Sequence, residues 1–247
     1  MKKLFFTAVL LLFGINVANA DVAANQELYA ASNVISSFAH DNNFSIPADK
    51  VLNAKAVAIL TDVKRSAAVV STQYGDGVFS VKDENGNWSA PIFIKYRGFG
   101  VGVQAGYETS DIVMLFQTTK SYQDIFNGTD TLELNVAGSV VEGKRGGAAT
   151  DLPDISAWIV SPGEVTGVYL GVSLDIGRIT IDDQLTNDFY DRIYDYEDIL
   201  NDSPRDNKYS KIFKSTLKKY LNDNRYYGKI QNKPAGWPKT VSVKCII

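Results

Sequence analysis

Apolar residues recur at helical spacing over residues 24–40, where Leu28, Ala31, Ile35 and Phe38 share one face and Asp41-Asn42-Asn43 then breaks the pattern. The spacing predicts a docking helix. Pro47 suits the first turn of a second, short helix ending near Asn53, because its missing N–H has no helical partner there. From Ala54 the pattern changes to short runs of Val, Ile, Thr and aromatics punctuated by Gly, Asn and Asp, which is the grammar of antiparallel strands. Strands are expected over 56–62, 67–74, 78–82, 88–94, 98–107, 112–117, 132–141, 155–160 and 168–176, with a short helix over 121–126. Asn85-Gly86 in the segment 83–87 supplies the positive φ angles of a tight hairpin. Helical spacing returns over 187–200, with Phe189, Ile193, Tyr196 and Leu200 on one face and a stop at Pro204, and again over 206–221.

These elements make an α+β chain. Many closely spaced strands favour a strongly curved antiparallel sheet or a partly closed barrel, since closure removes exposed edges. Helices flank it at both ends of the sequence, and the tail from residue 223 to 247, with Pro234 and Pro238, reads as extended.

Ahead of the first helix, Lys2 and Lys3 precede an apolar run to Val17 and the small residues Ala18-Asn19-Ala20. That order is a secretory signal over residues 1–20, with cleavage expected after Ala20. The run is short of the ~20 residues that span a bilayer. The mature chain, 21–247, is therefore expected to be exported and periplasmic, with one domain over 21–222. The single cysteine, Cys245, leaves no intramolecular disulfide to form.

Charge is split along the chain. Residues 205–247 hold 11 Lys and Arg against two Asp, a local charge of +9, whereas residues 21–204 carry 12 basic against 26 acidic groups, or −14. An exported chain with an acidic main body does not suit nucleic acid. Catalytic chemistry finds little support. His40 is the only histidine, and there is no G-x-S-x-G. The carboxylates Asp175, Asp182, Asp183, Asp188, Asp191, Asp195, Glu197 and Asp198 lack the spacing of a calcium loop and read as a solvated acidic face. Neither a cofactor nor a metal is expected. The glycines at 98, 100, 102 and 106 share one phase of the alternation, which reads as one continuous strand with a glycine face, a place for close packing rather than a dinucleotide turn.

Six blocks in order now carry a resemblance: residues 54–60, 85–91, 98–114, 138–151, 167–175 and the helix at 187–200. Together, over about residues 46–222, the chain resembles the SYLF family of lipid-binding domains. It departs from the family's glycine-rich pattern after Val63, where it reads Arg65-Ser-Ala-Ala-Val-Val-Ser-Thr-Gln73. The resemblance implies a non-enzymatic domain that engages phospholipid, with phosphoinositide and actin binding belonging to eukaryotic members. For a bacterial envelope it implies an anionic or zwitterionic phospholipid and a part in outer-membrane lipid upkeep. The alternative is a periplasmic protein–protein interaction module without a lipid ligand.

Two cationic sets suit a phosphate-bearing surface, at about 1 kcal/mol per Lys or Arg. Lys55, Lys95, Arg97, Lys144 and Arg145 form the first, as a lipid-binding set at strand ends and loops. Lys208, Lys211, Lys214, Lys218 and Lys219 form the second, as a membrane-surface set on the late helix, whose aromatic face includes Phe213. The other reading of that helix packs Phe213 and Tyr220 on the sheet and leaves the lysines in water.

Overall fold

Helix α1 (Lys2–His40) buries Leu28, Ala31, Ile35 and Phe38 completely, the face that the spacing predicts. The structure is a computed structural model that describes residues 2–40, 48–67, 70–101, 104–126, 132–138, 147–150, 155–169 and 173–227. A short α2 (Ala48–Leu52) leads into β1 (Ala56–Ala67) and β2 (Val70–Val81), which pair antiparallel. The strands expected over 67–74 and 78–82 are one strand here. Gly75 and Gly77 do not interrupt β2; they face inward where β1 crosses too closely for a side chain.

The predicted hairpin turn forms at 83–87. Gly86 takes φ 78°, and the Asp83 carboxylate accepts from Asn87 N–H at 2.7 Å. Beyond it run β3 (Ile92–Val101) and β4 (Gln104–Phe116). The glycine-rich stretch is therefore split between two strands rather than forming the single strand expected over 98–107. The two belong to different places in the sheet, since β3 pairs with β2 and β4 pairs with β1. Alternation through the glycines persists on both sides of the break, which is why periodicity alone does not reveal it.

The rest of the sheet comprises β5 (Leu132–Gly138), β6 (Gly147–Thr150), β7 (Ile155–Tyr169) and β8 (Ser173–Ile181), preceded by α3 (Lys120–Phe126). Every pairing is antiparallel, and the order β1-β2-β3-β8-β5-β6-β7-β4 returns to β1 as a closed barrel. The α+β class read from the sequence is what the structure shows.

Side chains of β1 alternate between two cores. Ala56, Ala58 and Leu60 join Phe79, Ile94, Met114 and Phe116 inside the barrel, where the Phe79 and Phe116 rings meet edge to face at 5.7 Å. Val57 and Ile59 face outward and are covered, with Val78, Phe93, Val113 and Leu115, by α1 and by α6 (Lys208–Leu221). Burial on both faces accounts for the unbroken apolar run of β1.

The helix expected over 187–200 is two helices, α4 (Asp183–Tyr190) and α5 (Tyr196–Leu200). Asp191 ends α4 in the left-handed region at φ 50°, and Ile193, expected on the apolar face, is 81% exposed in the connection. Helix α6 lies where the spacing puts it. Its Asn207 cap accepts from the N–H groups of Tyr209 and Ser210 at 2.8 and 2.9 Å. The tail is not extended from its start: Asn224–Tyr226 form a 3₁₀ turn and Tyr227 is buried against Phe38. The remainder of the tail, Cys245 included, lies outside the described residues.

Candidate functional site

The lipid-binding set splits in the structure. Lys55 precedes β1 at the end of the barrel where α2 packs, and is exposed. Lys95 and Arg97 lie on β3 opposite Asp76 and Tyr74 of β2. Since Asp76 pairs in turn with Thr61, six positions along β1 from Lys55, the two groups are about 20 Å apart along the strand. Lys95 is held by Asp182 at 2.7 Å. The same Asp182 caps α4 through the N–H of Leu185, which gives this member of the acidic series a structural task. Lys144 and Arg145 lie outside the described residues.

Five neighbouring strands bring together a different set. Lys64 on β1 is the register partner of Tyr74 on β2, Tyr74 of Arg97 on β3, and Arg97 of Arg178 on β8. On the other side of β1, Ser66 pairs with Tyr107 of β4, so Tyr107 stands diagonal to Lys64. These positions share the phase that points away from the barrel interior, because Val63, Gly75, Tyr96 and Gly177 hold the inward places beside them. The outer face thus carries a row that reads Tyr107, Lys64, Tyr74, Arg97, Arg178 across β4-β1-β2-β3-β8.

The row is both aromatic and cationic. The ring of Tyr74 lies between Lys64 Nζ at 6.0 Å and the Arg97 guanidinium at 5.9 Å from its centroid. Tyr74 is 46% exposed, and Phe99 and Val70, one and two layers farther along the strands, are 54% and 44% exposed. Large apolar groups this open are unusual on a sheet face unless something covers them. Asp62 lies beside Lys64 at 3.2 Å and its bonding raises the lysine's pKa, keeping that end of the row charged.

The inward glycines have a packing role. A Cβ on Gly177 would stand 2.3 Å from the Tyr96 ring, and Tyr96 in turn donates its hydroxyl to Gln73 Oε1 at 3.3 Å.

The membrane-surface set on α6 also divides. Phe213 is completely buried among α1 and β-strand side chains, so it does not face a membrane; packing with Leu217 and Tyr220 against the core is its place. Lys214 is engaged by Asp202 at 2.6 Å and Asp206 at 3.0 Å. Lys218 donates to Asn87 Oδ1, and Lys219 to the Tyr220 hydroxyl, both at 3.0 Å. Lys208 lies over the Tyr209 ring, and Lys211 is exposed. With Leu52, Asn222 and Arg225, Lys218 and Lys219 line an open cleft of about 550 Å³ at the end of α6. Nearby, Lys82 donates to the Leu52 carbonyl at 2.8 Å, and burial, aided by the charge of Lys55, lowers its pKa to about 8.

His40 closes the end of α1. Its Nδ1 is 2.7 Å from the Ser36 carbonyl, and its ring meets Tyr220 and Tyr226 edge-on. Among the described residues no group of three or more His, Cys, Asp or Glu is arranged to hold a metal ion. Sequence reading finds Arg97 but misses Lys64, Tyr74, Tyr107 and Arg178. The missing signal is strand register: the row exists only across five strands.

A family model described as "Ysc84: Las17-binding protein actin regulator" matches residues 97–220. The chain is 31% identical over 176 residues to LAS seventeen-binding protein 3 of Saccharomyces cerevisiae, covering 66% of this chain and 37% of that protein. It is 29% identical over 186 residues to the human SH3 domain-containing YSC84-like protein 1, covering 73% and 54% respectively. The chain thus spans little more than a third to about half the length of these relatives. No solved structure matches it.

Proposed function

Because this chain belongs to the Ysc84, or SYLF, family, we propose that it is a non-enzymatic binding protein whose outer barrel face meets an anionic phospholipid surface. The observation that carries this reading is the row Tyr107, Lys64, Tyr74, Arg97, Arg178, with Phe99 and Val70 beside it. Tyrosines suit the boundary between headgroups and hydrocarbon, since each joins an apolar ring to a polar tip. Cations between them supply attraction to phosphate. Lys95 stands next to the row on β3, and the α6 lysines, Lys211 foremost, offer a second cationic surface.

Flotation with vesicles of equal parts phosphatidylglycerol and phosphatidylethanolamine tests the reading. At about 1 kcal/mol per cation, replacing Lys64 and Arg97 together by glutamate is expected to weaken binding by roughly tenfold or more. Charge reversal of Lys211 and Lys218 on α6 is the comparison. Equal recovery of the protein with and without vesicles would overturn the lipid reading.

The relatives' names favour a second reading, a protein-interaction module, since one of them is named for binding LAS seventeen. Co-purification of one stoichiometric protein, with no lipid in native mass spectra, would select it.

The leading segment supports export. Among the described residues no helix is long and apolar enough to cross a membrane, and residues 1–20 keep the charged, apolar and small-residue order of a removable signal. The chain purified from a secreting bacterial host is expected to begin at Asp21, as N-terminal sequencing would read; a chain retaining Met1 would contradict periplasmic placement.

A further inference from the structure

Helix α1 meets the barrel across a seam of carboxylates. Glu27 lies half-buried under α1 and accepts a hydrogen bond from the Thr61 hydroxyl at 2.6 Å. Thr61 begins the bulge at which β1 shifts register against both neighbours before Lys64. The next residue, Asp62, adopts φ 48°, and its N–H donates to Asp111 Oδ1 of β4 at 2.9 Å. Asp76 of β2 stands opposite Thr61. Three elements of the barrel therefore each bring a carboxylate close enough to repel Glu27: β1 with Asp62, β2 with Asp76, and β4 with Asp111.

The two cations that register places here each bond a carboxylate other than Glu27, and Lys64 offsets part of the charge of Asp62. Lys64 bonds Asp62, and Lys95, the register partner of Asp76, bonds Asp182. Against the same part of α1, α6 presents the neutral Asn207, whose side chain donates to Asn25 at 3.1 Å. Helix α4 packs the apolar Leu185 and Phe189 on this core, and β7 places Ser161 opposite Asp111. Only Ala24, Leu28 and Ala31, completely buried on either side of Glu27, hold this part of the helix down by apolar contact.

We propose that the stretch of α1 from Asp21 to about Ala31 is an acid-latched strap: it docks on the barrel with Glu27 protonated and loosens when Glu27 ionises among Asp62, Asp76 and Asp111. Loss of water around the carboxyl, with the repulsion of the three aspartates, raises its pKa from 4.5 to about 7. The docked state therefore holds the proton more tightly than the undocked one. Docking is favoured fully below about pH 4.5 and is progressively lost as pH rises toward about 7, where the loss levels off.

Hydrogen exchange followed by mass spectrometry on the purified chain, corrected for intrinsic rates, reads this directly and needs no lipid, so its outcome is separate from that of flotation. Protection of residues 22–31 is expected to fall about tenfold between pH 6 and pH 8, while peptides of β1 and β4 stay protected. Glu27→Gln keeps an acceptor for Thr61 without the charge, and its protection over 22–31 is expected to be independent of pH. Titration of the wild-type Glu27 carboxyl carbon by NMR gives a reading that does not depend on the variant folding, with a midpoint expected near 7. A midpoint near 4.5, equal protection at both pH values in the wild type, or an unchanged pH response in Glu27→Gln would each overturn the strap.

Discussion

Truncating Phe213 to alanine is expected to destabilise the protein by about 3–5 kcal/mol, the range found for fully buried aromatics. Phe213 is 0% exposed and sits where α6 crosses α1, with Leu28, Ile35, Phe38, Leu217 and Tyr220 in one cluster. Removing the ring opens a void in the cluster that α1, α6 and the outer face of the barrel share. A melting temperature lower by about 10 °C or more, or a matching fall in the urea midpoint, is the expected reading. Lys211→Ala, two residues away and exposed, is expected to stay within about 0.5 kcal/mol of the wild type. The pair separates packing from membrane contact on this helix. If Phe213→Ala kept full stability and lost only vesicle binding, the burial of the aromatic face would be refuted.

The two faces of α6 were legible because its period is local: five lysines and six apolar or aromatic residues repeat within 14 positions, and Asn207 marks the start. The same holds for the apolar face of α1 and for the turn at Gly86, where the required residues are neighbours in sequence. The belt on the outer face was not legible in this way. Tyr107, Lys64, Tyr74 and Arg178 come from four strands, and only register puts them in one row. Glu27 was hidden for the same reason. Its position on α1 reads as an ordinary solvated carboxylate until Thr61 and Asp111 are brought beneath it from β1 and β4.

Glycine misled the reading in both directions. Gly75 and Gly77 read as a break between two strands, whereas Gly98 to Gly106 read as one strand where the chain changes strands. The residue alone does not say whether it lacks a side chain for the sake of a turn or for the sake of a neighbour. In β2 it is the neighbour: the inward places beside Val63 and Leu60 are occupied by the opposing strand itself. That close approach, next to the register shift of β1, lets the sheet coil tightly enough to bring β4 back onto β1.

Gly77→Ala is accordingly expected to be among the most damaging single-methyl additions in the chain. An added Cβ would lie 2.3 Å from the Ile59 carbonyl oxygen, 2.8 Å from Leu60 Cδ2 and 3.0 Å from Leu60 Cα. Two of these three obstacles are backbone, and β1 cannot yield without disturbing the ladders it shares with both β2 and β4. A loss of about 3 kcal/mol or more is expected, at the upper end for overpacked sites. Gly177→Ala supplies the contrast, because its three nearest obstacles all belong to the Tyr96 side chain. Combining Gly177→Ala with Tyr96→Leu is expected to recover part of the stability lost by Gly177→Ala alone, whereas combining Gly77→Ala with Leu60→Ala is expected to recover none, since the Ile59 carbonyl stays in place. Urea denaturation of the two double-mutant cycles measures both couplings. Full recovery in the Gly77 cycle would mean that the Leu60 side chain, and not the backbone of β1, sets the closeness of these strands.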